Sequence, residues 1–380
     1  MEEDRQSEAQ VAADSGTNSN IKFFDGVRGA AVAAVVLFHL MLYTGSSEDR
    51  SRYVIGDWIT SYGYLGVSVF IVVSGFVLMY PMARRGTQTL PRGTWNFYKR
   101  RARRILPPYY AALGLSLLLI LLVPALQQRT ETAWDSKIPV TTGGITSHLL
   151  LIQDLSPSWA NQINGPLWSV AVEFHLYLLM PVVLLPLWRR LGAVPVVISL
   201  FVLGVAMSLL DLASWAHPWL IALFAAGMMS SQVATGVVQI RHLASLTIMG
   251  LVGMCILFII FHDRLTREVA ISEMAFGLIT AGLLAWFTKG FLSGNKNWVI
   301  LFLETKPAVY LGIRSYSIYL VHSPILAVGN IFLLTAVKDP NLHLILMIFV
   351  VLPCSVIIGE VFYQTIERRF TTSHQRQVAS

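Results

Sequence analysis

The segment AVPVVISLFVLGVAMSLL, residues 193–210, holds no charged side chain, and apolar runs about as long recur along the chain. Such runs leave few choices. In lipid every backbone N–H and C=O must find its partner within the protein, which only helices and closed barrels achieve. Barrel strands alternate polar and apolar residues over about 10 positions, whereas these runs are continuous, so the expected architecture is all-α. Composition agrees: 55% of the 380 residues are hydrophobic and 13% charged, against about 25% charged in soluble domains.

Charge-poor windows of about 17 to 25 residues fall near 23–43, 58–80, 105–125, 166–188, 194–211, 216–234, 243–262, 269–288, 311–334 and 342–364. The chain therefore reads as a polytopic membrane protein of about ten transmembrane helices. The stretch 146–155, containing HLLLIQDL, is too short to cross and reads as a re-entrant or interfacial part of a long loop over 126–165. Residues 1–20 are polar and lean acidic, the composition of a disordered tail. Residues 21–366 form the transmembrane domain, and 367–380 a second tail. Cys255 and Cys354 lie far apart within apolar runs and read as small buried hydrophobes rather than a disulfide or metal pair.

The loops set the orientation. RRGTQTLPRGTWNFYKRRARR, residues 84–104, brings eight Lys and Arg and no acid, which makes it cytoplasmic by the positive-inside rule. Both termini are then cytoplasmic, and 19 Lys and Arg fall on that side against 7 outside, Lys137 among the latter. The net charge of +7 is thus a topology signal; no nucleic-acid-binding pattern accompanies it. The expected location is the inner (plasma) membrane, multi-pass, with the lipid bilayer as the constant partner. The sequence does not speak to oligomeric state.

Polar groups inside spans carry the functional information, because a central Asp or Arg costs roughly 2.5 to 3.5 kcal/mol to insert. FFDGVRGAAVAAVVLFHL, residues 23–40, keeps Asp25, Arg28 and His39. At about 100° and 1.5 Å per residue, Arg28 and His39 share one stripe of the helix, about 16 Å apart. Asp25 reads equally as a functional group or as no more than an ion-pair partner of Arg28 at a helix start, where an acid also suits the macrodipole. The fourth span, counted inward from Pro166, brings Glu173 to the depth of His39, where a carboxylate would orient the imidazole as a general base; His175 points elsewhere. Ser74 and Gly75 come near the depth of Arg28, although small residues in spans more often serve close helix contact. Arg314 and Glu360 read as a structural pair.

Five ordered segments carry a family resemblance: FFDGVRGAAVAAVVLFH (23–39), GYLGVSVFIVVSGFVL (63–78), YKRRARRILPPYY (98–110), GPLWSVAVEFHLYLLMP (165–181) and LGIRSYSIYLVHSPIL (311–326). Over about residues 21–366 the chain resembles the acyltransferase family 3 of integral membrane O-acyltransferases, which modify sugars, polysaccharides and hydroxylated natural products. The second segment departs from the family's aromatic-rich versions, which bears on packing or acyl fit.

The resemblance implies an acyl-CoA co-substrate, acetyl being the family's usual group, with no bound cofactor or metal, and an acceptor hydroxyl on a sugar, glycan or metabolite. It implies catalytic roles for His39 and, as its partner, Glu173. Donor contacts would come from Arg28, Arg101, Arg103, Arg104, Ser74 and Gly75. Acceptor contacts would come from Trp168, Ser169, Tyr316 and His322, with Tyr319 in the same late motif. Direct transfer and an acyl-enzyme both fit. The competing class is a transporter or exporter of a small metabolite or glycan precursor; carriers often show internal repeats and paired broken helices, and no such symmetry is visible here.

Overall fold

The structure, a computed structural model, describes residues 21–46 and 61–371, apart from the side chain of Asp263. The expected tail over 1–20, the first residues of the second span and the chain beyond 371 lie outside the described residues. Ten helices stand where ten spans were expected. They are α1 (Lys22–Tyr43), α2 (Gly66–Arg84), α3 (Gly93–Leu122), α4 (Leu167–Leu191), α5 (Ala193–Leu209), α6 (Leu220–Ala234), α7 (Leu243–Ile260), α8 (Val269–Leu292), α9 (Lys306–Ala336) and α10 (Pro340–Arg369). Eight are long and apolar enough to cross a membrane; α5 and α6 are shorter. No strand occurs among the described residues, and the protein is an all-α polytopic membrane protein.

Two of the prolines within the helices have local outlets. Pro181 in α4 sits in a π-helical turn, Met180–Leu184, since a proline lacks the N–H that the regular ladder needs. A second π-helical turn, Met347–Val351, precedes Pro353 in α10.

The centre of the bundle is made by α1, α2, α6 and α9, with α1 against α9 and α2 against α6 as the most extensive pairings. Glycine makes the second pairing possible. A Cβ on Gly75 would overlap the Phe224 carbonyl, and one on Gly227 would overlap that of Val72, so the two backbones touch without side chains between them. α7 is peripheral, with nearly all its surface outside the core. This corrects the expectation for the cysteines: Cys255 on α7 and Cys354 on α10 are free and exposed, on faces that would meet lipid rather than a core.

The loop between α3 and α4 is folded into the bundle. The stretch expected to be re-entrant forms a short helix, Thr142–Leu150, held to α3 where the Tyr109 and Tyr110 hydroxyls donate to the carbonyls of His148 (2.9 Å) and Leu149 (2.7 Å). Ahead of it Trp134 is fully buried and donates to the Leu126 carbonyl at 3.0 Å. Just before α4, Asn164 is fully buried and its amide donates to Ser116 Oγ and to the Leu320 carbonyl in the middle of α9. At the other end of the chain the packed fold continues past 366: Ser317 donates its N–H and hydroxyl to the buried carboxylate of Glu367.

Candidate active site

A cavity opens between α1, α2, α3, α4 and α9. Its lower wall, toward the terminal end of the bundle where α1 starts and α10 ends, is cationic: Arg28 from α1 and Arg101 and Arg104 from α3. Arg28 keeps a 3.3 Å ion pair with Asp25, one turn back on its own helix, so Asp25 serves as its partner. Arg101 lies over the Tyr177 ring with the two groups 5.9 Å apart, and its Nε is buried without a hydrogen-bond acceptor among the described residues. Arg103, one residue before Arg104, is exposed and does not line the cavity.

The middle of the cavity holds Glu173. Ser74 Oγ donates to its Oε1 at 2.6 Å, and the Tyr177 hydroxyl donates to the same oxygen. Tyr177 was not singled out in the sequence, yet it lies four residues after Glu173 on the same helix face, the spacing at which side chains meet. Gly75 turns away from the cavity into the α6 contact. At the upper end, Ser169 and the Tyr319 hydroxyl share a 2.6 Å hydrogen bond and Phe70 meets the Tyr319 ring edge-on; one turn lower on α9, Tyr316 donates to the Ile105 carbonyl at 3.1 Å. Trp168 lies elsewhere: it stacks at 4.3 Å on His217, which pairs with the buried carboxylate of Glu273 at 3.0 Å.

His39 does not meet Glu173. Its ring stands 4.9 Å from that of His322 on α9, beyond Tyr319, and no hydrogen bond among the described residues links it to the carboxylate. The depth count failed because α4 does not start at the far surface of the bundle. The bonds from Asn164 to Leu320 and from Ser169 to Tyr319 start it level with the middle of α9, about 25 Å short of that helix's end at Ala336. Glu173 is one turn further toward the terminal end, and His322 one turn the other way, so Glu173 and His39 differ by about 10 Å in depth. The expected separation of His175 from this pair holds; it is bonded to Asp154 at 3.0 Å. Arg314 and Glu360 form the expected ion pair.

The two histidines share one arrangement. His39 Nδ1 lies 2.9 Å from the Val35 carbonyl, and His322 Nδ1 2.8 Å from that of Tyr319. A carbonyl only accepts, so each Nδ1 carries the hydrogen and each neutral ring keeps a lone pair on Nε2. His322 Nε2 is buried and has no partner among the described residues. The site thus has two poles, a cationic cavity and an imidazole pair, with the Phe70 and Tyr319 rings between them.

The acyltransferase domain family matches residues 21–360. Over 324 residues the chain is 24% identical to "O-acetyltransferase OatA" of Staphylococcus aureus (strain NCTC 8325 / PS 47), covering 80% of this chain and 50% of that protein. It is 22% identical over 348 residues to "Peptidoglycan O-acetyltransferase OatA" of Listeria monocytogenes, covering 84% and 51%. The chain spans about half the length of these curated relatives. No solved structure matches it. With five ordered motifs, ten helices in the expected places and a family match over nearly its whole length, the chain belongs to the acyltransferase family 3.

Proposed function

We propose that this protein is a membrane O-acyltransferase that moves an acyl group, acetyl by family resemblance, from acyl-CoA to a sugar hydroxyl in a glycan. The observation that carries this reading is His39: its Nδ1 is held by a carbonyl of its own helix, which leaves Nε2 as a base about 16 Å along α1 from Arg28 in the cavity wall. The names of the relatives, one of them a peptidoglycan O-acetyltransferase, support the acceptor class.

In this reading the terminal end is cytoplasmic in a plasma (inner) membrane. Phosphates of the donor rest on Arg28, Arg101 and Arg104, whose planar forks suit them, and the thioester arm runs past Phe70 and Tyr319 toward His39. His39 Nε2 takes the proton of the acceptor hydroxyl as its oxygen adds to the acyl carbon. Glu173 acts in the cavity wall, where it fixes Ser74 and Tyr177 and offsets the arginines, rather than as the partner of His39. Ser169, Tyr316 and Tyr319 shape the passage between the two poles. Trp168 acts from outside the cavity, through His217.

The test is thiol release from acetyl-CoA by the purified full chain in lipid nanodiscs. Loss of a general base costs typically 10²–10⁴-fold, so His39→Ala should fall by about that factor. Wild-type rates in His39→Ala would overturn the assignment, and no thiol release by the wild type would overturn the donor.

A further inference from the structure

Lys137 counts in the sequence as one of seven external cations, and the fold treats it differently. It ends a short 3-10 turn, Ala133–Lys137, that packs on α1, and it is 8% exposed. Its Nζ lies against Gly165, where a Cβ would stand only 2.8 Å from it. Among the described residues no carboxylate pairs with it. Asp135, two residues earlier, is taken by the backbone N–H groups of Thr130 and Glu131 at 3.0 Å each. Burial pushes the amine down to about 8.

A buried cation without a counter-charge is costly, and several local features hold this one in place. Trp134 anchors the turn. The Lys137 carbonyl accepts from the Ile163 N–H at 3.1 Å. The next residue, Asn164, ties the same strip to Leu320, two positions before His322. His322 in turn brings its ring within 4.9 Å of that of His39. His322 Nε2, and Asn164 Oδ1 next to the Gly165 that Lys137 touches, are both buried and without partners among the described residues. A cation, an imidazole base and unpaired polar atoms gathered at one level make a place for a group that becomes negative.

We propose that the Lys137 ammonium is the catalytic cation that stabilises the acyl oxygen as negative charge builds on it during transfer at His39. This rests on the reading of His39 as the base. The acceptor O–H gives its proton to His39 Nε2 while its oxygen bonds to the acyl carbon, and the carbonyl π pair moves onto the acyl oxygen beside Lys137. When the C=O re-forms, the C–S bond breaks, and the CoA thiolate leaves with the proton returned by the imidazolium. A positive group held in place by the fold stabilises such an oxyanion without reorganising when the charge forms.

The experiment measures thiol release from acetyl-CoA by the full chain in nanodiscs for wild type, Lys137→Met, Lys137→Arg and His39→Ala, with thermal unfolding of each. Removing an oxyanion donor costs about 10²–10³-fold in kcat. Lys137→Met should lose about that much, with donor KM within about threefold of wild type and a Tm no lower. Lys137→Arg, which keeps the charge, should retain at least ten times the Met variant's rate. A structural lysine would show the opposite pattern, a lowered Tm with kcat kept, and kcat of Lys137→Met within about threefold of wild type overturns the proposal. If that result comes with an inactive His39→Ala, the base reading stands and Lys137 alone is wrong; an active His39→Ala overturns both.

Discussion

Replacing Lys137 with methionine should make the folded protein more stable at neutral pH. Lys137 is 8% exposed, and burial lowers its amine from the ordinary 10.5 to about 8. One pH unit corresponds to about 1.4 kcal/mol, so holding the proton in the fold near pH 7 costs about 3 kcal/mol. The sign follows from proton binding. Between pH 8 and 10.5 the unfolded chain keeps a proton on Lys137 that the folded chain has lost, so this group's contribution to stability rises with pH across that window. The penalty is fully present below about pH 8 and gone above about 10.5. Denaturant unfolding in one detergent, near pH 7 and near pH 10, should give Lys137→Met an advantage of about 3 kcal/mol at the lower pH that shrinks at the higher one. Subtracting variant from wild type cancels the other titrating groups. A variant less stable than wild type near pH 7, or a difference that does not change with pH, refutes the reasoning.

Other positions give further tests. Arg104 lines the cavity and Arg103 does not, so Arg104→Gln should raise the donor KM at least about tenfold, the loss of one charged hydrogen bond, while Arg103→Gln stays within about threefold. Gly227→Ala sets a methyl against the Val72 carbonyl and should destabilise by about 1–3 kcal/mol in thermal or denaturant unfolding. Asn164→Ala strips the Leu320 carbonyl and Ser116 of a partner and should cost about 1–3 kcal/mol; an unchanged midpoint would mean the loop is not held there.

How much of this could be read from the chain differs by distance scale. Hydropathy located the ten helices, and the eleven-residue step from Arg28 to His39 placed them at two levels of one helix. The Arg314 and Glu360 pair was also visible, because both lie near the same end of their spans. The partner of His39 was misassigned because depth was counted from Pro166 as if α4 began at a surface. Only the bonds of Asn164 and Ser169 to the middle of α9 reveal that it does not, and hydropathy carries no trace of them. Lys137 was hidden for the same reason. A lysine in a loop counts as topology until the loop folds inward. Cys255 and Cys354 failed on a different point, since an apolar run does not say which face meets lipid.

The bond between Tyr43 and Ser323 joins residues 280 positions apart, and Asn330 reaches back to Gly45 across 285. At synthesis rates of about 5–20 residues per second, α1 waits roughly 15 to 60 seconds in the bilayer before α9 exists. Through that interval the cavity around its arginine lacks the wall that α9 supplies. The Asp25 carboxylate one turn away on the same helix is the counter-charge available from the start, so the lone span can enter lipid with the pair nearly neutral, and Asp25→Asn should lower its insertion in a cell-free translocation assay. The ion pair is then a device of biogenesis, needed most before the site it belongs to has been made.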